Sequence, residues 1–225
     1  MGLSKILVAC QCKGDTHHQR LFVRRENSSI EFVEDFFGKE NVFYLDTADE
    51  CKNIEGQITS WEKLPMMFPK DFFQIIYLQY CPIYPPIITY RNPDVQPMRT
   101  PDVMEIWEKL FQYGVQCLKQ DGAIIIPIDS DMHEMRSKYY AINLPVNRKK
   151  IGHFYRKGLV NLLRYMNIDG WQVYLSDSLP ASHNKVLRQA LPLLFSPGRK
   201  EDDQYLLLTR KQTGGKRKTR KLRRK

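Results

Sequence analysis

Asp121-Gly122-Ala123-Ile124-Ile125-Ile126-Pro127-Ile128 is the stretch whose reading decides the fold. Residues 123–128 carry no charge and show no alternation of polar and apolar side chains. That is the profile of a strand buried on both faces, inside a parallel sheet with helices above and below. Asp121-Gly122 reads as the turn that feeds it. Upstream, Thr100 and Pro101 form a helix start, a cap followed by proline in the first turn. Val103, Ile106, Trp107, Leu110, Gly114, Cys117 and Leu118 then mark one face of about five turns. A long helix entering a doubly buried strand is half of a βαβ unit.

The same grammar repeats on both sides. Residues 5–9 (Lys-Ile-Leu-Val-Ala) form a short apolar first strand. Residues 11–27 are polar and read as irregular. Ser28-Ser29-Ile30-Glu31 fits a capping box, and Ile30, Val33, Phe36 and Phe37 share the inner face of a helix that Gly38 stops. Residues 42–45 are a second strand ending in Asp46, residues 57–59 a weak third, and residues 72–80 a clear fourth. Six prolines between 81 and 101 rule out regular structure there and predict a long functional loop. Residues 147–166 form an amphipathic helix with Arg148, Lys149, Lys150, Arg156 and Lys157 on its outer side. Residues 171–175 and 204–209 close the series as a late, antiparallel addition around a helical insertion at 185–194. The expectation is a Rossmann-like, doubly wound, mostly parallel α/β sheet in three α/β/α layers, with an antiparallel final strand, over residues 1–209.

Charge separates this body from its end. The chain of 225 residues has 35 Lys and Arg against 25 Asp and Glu. Ten of those cations lie in residues 210–225, which hold no acid, so residues 1–209 balance at 25 against 25. A segment with Gly214-Gly215 as a hinge and Leu222 as its one large apolar residue cannot bury a core. It reads as a disordered tether. Lys216, Arg217, Lys218, Arg220, Lys221, Arg223, Arg224 and Lys225 are its candidate nucleic-acid contacts, binding phosphates by counterion release without regard to sequence. An anionic membrane is the weaker partner, because no aromatic or acyl-type anchor accompanies the charge. Endings of this Gly-Gly-Lys-Arg-Lys type are similar to those on proteins of large DNA viruses. Five cysteines, an odd number, form no disulfide framework and point to a reducing, intracellular compartment. No stretch reaches the ~20 apolar residues of a membrane helix.

In an open parallel sheet, ligands gather outside the carboxyl ends of the strands. Those ends are Cys10-Gln11-Cys12-Lys13-Gly14, Asp46, Thr59-Ser60-Trp61 and Gln79-Tyr80-Cys81-Pro82. With Phe43-Tyr44-Leu45-Asp46, Gly56-Gln57-Ile58-Thr59, Asp71-Phe72-Phe73-Gln74-Ile75-Ile76-Tyr77, Leu118-Lys119-Gln120-Asp121-Gly122-Ala123 and the closing Gln204-Tyr205-Leu206-Leu207-Leu208-Thr209-Arg210, the layout resembles the class I S-adenosylmethionine-dependent methyltransferases. The resemblance spans residues 3–210 and is one of order and spacing. It implies S-adenosylmethionine as cofactor: Cys10, Gln11 and Gly14 at its first turn, Asp46 on its ribose, Ser60 or Trp61 beside its adenine. Gln79, Tyr80 and Cys81 would then face the methyl acceptor. The chain departs from the family in two places. One glycine replaces the usual glycine-rich turn, and Ser60 stands near where an acid is expected.

Blander readings stand beside these. Asp46 also fits a turn residue, and Trp61 a core aromatic. Cys10, Cys12, His17 and His18 lack zinc spacing, so no metal is expected. Cys81 has no identifiable base, and Asp129, Asp131, His133 and Glu134 read as a solvated loop. Two function classes follow: a methyltransferase acting on a nucleic-acid or protein acceptor, tethered by its tail, or a non-catalytic nucleic-acid-binding or packaging protein that keeps the fold without the cofactor.

Overall fold

The computed structural model describes residues 4–10, 34, 37–78, 100–128, 148–178 and 204–211. Six strands form one sheet: β1 Ile6–Ala9, β2 Val42–Leu45, β3 Phe73–Leu78, β4 Leu118–Ile128, β5 Trp171–Leu175 and β6 Gln204–Arg210. With them, among the described residues, run the short helix α1 Leu64–Met67, then α2 Thr100–Gln112 and α3 Arg148–Tyr165. The strand order is β2-β1-β3-β4-β6-β5. β1, β2, β3 and β4 are mutually parallel. β6 runs against both its neighbours, β4 and β5. β5 is therefore parallel to the main sheet, and of the two closing strands only the last is reversed. This is the Rossmann-like, doubly wound α/β arrangement.

The residue pattern explains the layers. β1 and β3 are buried along their whole length. One face of the sheet, with Leu7, Leu45, Ile76, Ile124 and Leu206, packs against Trp107 and Leu110 of α2 and Tyr155, Leu159 and Leu162 of α3. The other face, with Val8, Tyr44, Ile75, Ile125 and Leu207, is buried with Phe37. Glu34 and Phe37 are helical, and that helix ends at Gly38, whose positive φ (77°, with ψ 138°) suits a residue without a Cβ. The Tyr44 hydroxyl donates to Glu34 Oε1 at 2.6 Å, fixing the helix end on β2. Its capping box and the insertion at 185–194 lie outside the described residues.

Three expectations change. The weak third strand shrinks to a single parallel bridge, Leu45 to Ile58, on the outer edge of β2. Helix α2 stops at Gln112 and tightens into a 3-10 turn, Gly114–Cys117. Asp121-Gly122 does not turn the chain: β4 already begins at Leu118, and the pair lies inside it. The register shows why. Phe73 pairs with Leu118 but Ile75 with Ala123, so β4 bulges by three residues against β3. Gly122 permits the bulge, because a Cβ there would meet the Gln74 carbonyl oxygen at 2.9 Å and Leu118 Cδ1 at 2.8 Å. The Gln74 side chain closes it, donating to the Asp121 carbonyl at 3.3 Å.

Gly122→Ala should lower stability by about 1–3 kcal/mol, since backbone cannot yield as a side chain can. A melting-temperature drop of several degrees by circular dichroism is the expected readout.

Candidate functional site

The register brings three strand ends to one level. Ala9 pairs with Leu45 on one side and Leu78 on the other. The chain goes from β1 outward to β2 and then to β3 on β1's opposite side, so the topological switch point lies between β1 and β3. Cys10 and Asp46 are the first residues beyond β1 and β2. Neighbouring strands are about 4.8 Å apart. The two residues therefore stand side by side at this carboxyl edge, next to where the segment from Gln79 leaves β3.

Cys10 occupies the left-handed region (φ 64°), which costs a residue with a Cβ about 1–2 kcal/mol. Its N–H donates to the Leu45 carbonyl at 2.7 Å, pinning the turn to the end of β2. The turn that glycine usually permits is thus made here by a cysteine. Cys10 and Cys51 are both disulfide-bonded, while Cys117 is a free, buried thiol whose pKa burial pushes up. The sequence carries the expectation of no disulfide framework; cysteine count and spacing do not foresee that Cys10 and Cys51 are both bridged.

Asp46 is half-buried, and its Oδ1 accepts from the Ala48 N–H at 3.0 Å, a short local turn. Its own N–H donates to the Ile58 carbonyl at 3.0 Å, so the single bridge of the reduced third strand aims it. Among the described residues its second oxygen, Oδ2, has no protein partner. Asp46 therefore combines the turn role with an acceptor left open at the edge.

Ser60 and Trp61 behave otherwise. The Ser60 hydroxyl caps the 3-10 turn Trp61–Lys63, accepting from the Glu62 N–H at 3.3 Å and bonding the Glu62 carboxylate. Trp61 is 2 % exposed, and its ring lies against Gly114 and the end of α2. It is a core residue in this conformation, with no face presented for an adenine. The sequence alone could not separate the two roles, because an indole serves both. Gln11, Gly14, Gln79, Tyr80, Cys81, and Cys12, His17, His18 and 129–134 lie outside the described residues, as does the tail from 212 on.

One cluster was not anticipated. Lys109 of α2 bridges Glu62 at 2.9 Å and Glu105 at 2.7 Å, tying the turn after the third bridge to the helix. The Ser60 hydroxyl, then Lys109, hold the Glu62 carboxyl down to about 2, from 4.5. The same pair of carboxylates raises the Lys109 ammonium. A cleft of about 330 Å³, lined by Lys70, Asp71, Gln116, Gln120 and Arg210 among others, opens at the opposite edge of the sheet. It is far from the carboxyl ends. Among the described residues no group of His, Cys, Asp and Glu could hold a metal ion, and no helix is long and apolar enough to cross a membrane.

No protein-family model and no curated protein matches the chain. Among solved structures it is similar to the plantazolicin methyltransferase BpumL in complex with a pentazolic desmethylPZN analog and SAH (12 % identity, TM-score 0.46, covering 92 % of this chain and 76 % of that one). It is similar also to a SAM dependent methyltransferase from Archaeoglobus fulgidus (12 %, TM-score 0.40, 92 % and 86 %). A third likeness is to a putative type 11 methyltransferase from Sulfolobus solfataricus (12 %, TM-score 0.36, 94 % and 87 %). These likenesses are of fold, and the fold assignment itself rests on the strand order above.

Glu62, with its carboxyl depressed in the folded state, adds stability that is complete above its ordinary value of 4.5 and is lost as pH falls toward 2. Its side chain is 41 % exposed, so solvent screening leaves about 0.5 kcal/mol. Urea titrations should show Glu62→Gln less stable than wild type by that amount at pH 6, with the gap narrowing at pH 3.

Proposed function

We propose that the domain binds S-adenosylmethionine at the β1–β2–β3 carboxyl edge and acts as a methyltransferase, held at nucleic acid by its basic tail. The observation that carries the first half is the edge itself. A left-handed turn at Cys10 and a carboxylate at Asp46, one of whose oxygens has no partner among the described residues, stand side by side at the switch point. That pair fits the group. The positive φ at Cys10 turns the chain at this edge, and Asp46 Oδ2 can accept from a ribose hydroxyl. The cofactor supplies an activated methyl group, and the protein's part is to orient acceptor against donor and exclude water. β3 ends at Leu78 at this same edge, which supports reading the residues after it as the acceptor side. Adenine contact falls to backbone near Thr59 rather than to the Trp61 ring.

Isothermal titration with S-adenosylmethionine and its demethylated product tests this directly. Binding at micromolar to sub-millimolar level, accompanied by a rise in melting temperature, is expected. Asp46→Ala should weaken it about tenfold while melting within a few degrees of wild type. No heat and no shift at millimolar ligand would leave the alternative, a protein that keeps the fold without the cofactor.

The tail half rests on charge alone, and the structure moves its boundary. Arg210 is the last residue of β6: its guanidinium donates to the Val115 carbonyl at 3.0 Å and lies 5.3 Å from the Trp171 ring centre. Burial lowers its pKa against the pull of Asp71. A truncation meant to spare the fold must therefore follow Lys211. Such a variant should melt like wild type and lose most of its affinity for duplex DNA at 50 mM salt, as read by fluorescence anisotropy.

A further inference from the structure

The 3-10 turn Gly114–Cys117, between α2 and β4, holds two opposite charges at the amino edge of the sheet and keeps them apart. On one side Arg210 reaches back from the end of β6. Its Nη2 donates to the Val115 carbonyl at 3.0 Å and the Leu118 carbonyl at 3.4 Å, and its Nη1 to Gln120 Oε1 at 3.4 Å. On the other side the Phe72 N–H donates to the Cys117 carbonyl at 2.9 Å, which ties down the residues just before it, Lys70 and Asp71. Asp71 takes the left-handed conformation (φ 59°), which aspartate adopts more readily than most residues. Asp71 and Arg210 feel each other's charge, yet among the described residues no ion pair joins them.

The bulge in β4 makes the room. Phe73 pairs with Leu118 and Ile75 with Ala123, while β6 pairs with β4 only from Ala123 onward. Residues 119–122 therefore have no register partner in either neighbour, and the cleft of about 330 Å³ opens beside them. Lys70, Asp71, Gln116, Gln120 and Arg210 give it polar walls, and Val115 and Leu118 an apolar part. That volume is at the low end of small-molecule sites, ~300–1,000 Å³, so it suits a compact ligand. The Lys70 ammonium, the Asp71 carboxylate and Arg210 Nε have no hydrogen-bond partner among the described residues. A cation and an anion fixed by one turn, but short of contact, are each left to water. A compact ligand bearing both charges answers both walls at once with charge-assisted hydrogen bonds. A ligand bearing one charge gains from one wall and is opposed by the other.

We propose that this cleft binds a free α-amino acid with an apolar side chain. Its carboxylate lies on Arg210 and Lys70, its ammonium on Asp71, and its side chain against Val115 and Leu118. An α-amino acid carries both charges on one carbon, which keeps the ligand within the size the cleft allows. The site is at the opposite edge from Asp46, and nothing in it depends on a cofactor there.

The test titrates the full, nitrogen-15-labelled chain at constant ionic strength and follows the amide shifts of Val115 to Leu118. Three probes are used up to 20 mM: L-leucine, isopentylamine, which lacks the carboxylate, and 4-methylpentanoate, which lacks the ammonium. Leucine should saturate at a concentration about tenfold lower than either half-molecule. D71N keeps a side chain that tolerates the left-handed backbone. It should reduce leucine to the affinity of 4-methylpentanoate while melting within a few degrees of wild type. K70Q should weaken leucine and 4-methylpentanoate alike, by about threefold, and leave isopentylamine no weaker. The site is overturned if leucine shifts none of these amides at 20 mM, binds no better than its halves, or binds D71N as well as wild type.

Discussion

Everything on one side of the molecule hangs from the two antiparallel ladders of β6. That strand pairs with β4 from Ala123–Thr209 to Ile128–Gln204, and with β5 from Trp171–Arg210 to Leu175–Leu206. β5 has no other neighbour among the described strands, so its backbone pairing to the parallel half runs through β6, while Trp171 meets Phe111 of α2 with ring centres 5.4 Å apart. The centre of β6 is wholly buried at Tyr205, Leu206, Leu207 and Leu208. Each such side chain contributes about 1.5–3 kcal/mol on burial. Because the strand is reversed, the chain leaves the sheet at the amino edge, away from the strand ends where ligands gather. One inverted strand thereby separates where the tail begins from where chemistry would occur.

The sheet was legible because its strands are buried on both faces and so read as unbroken apolar runs. Residues 42–45 and 171–175 were read with the bounds the structure gives. What failed to show was anything set by partners distant in sequence. Asp121-Gly122 carries turn chemistry, yet β3 and Gln74 hold it as a bulge inside β4. The Gln57 to Thr59 strand lacks length to make more than one bridge, since its outer neighbour is missing among the described strands. The direction of β5 could not be read either. Strand polarity follows from which neighbour it finds, and β5 finds only β6.

The candidate site was legible in position more than in role. Cys10 and Asp46 are where strand ends place them, and the register aligns them. A positive φ at cysteine is invisible to composition, because sequence reading assigns such turns to glycine. Trp61 shows the opposite failure. Its neighbours Ser60 and Glu62 are committed to a cap and to Lys109, and its ring is committed to the core, so three consecutive residues that could have faced a ligand instead fasten the third bridge to α2.

Net charge misled in a comparable way. A sum of zero over residues 1–209 describes a neutral body, but charge acts locally, within a Debye length of about 8–10 Å. Six cations without a countercharge on an eighteen-residue helix repel one another, and the helix tolerates this because Tyr155, Leu159, Leu162 and Leu163 hold it by burial rather than by surface pairing. Where an amphipathic surface helix usually mixes signs to gain stability, this one keeps a single sign. The stability forgone is a few tenths of a kcal/mol per missing pair.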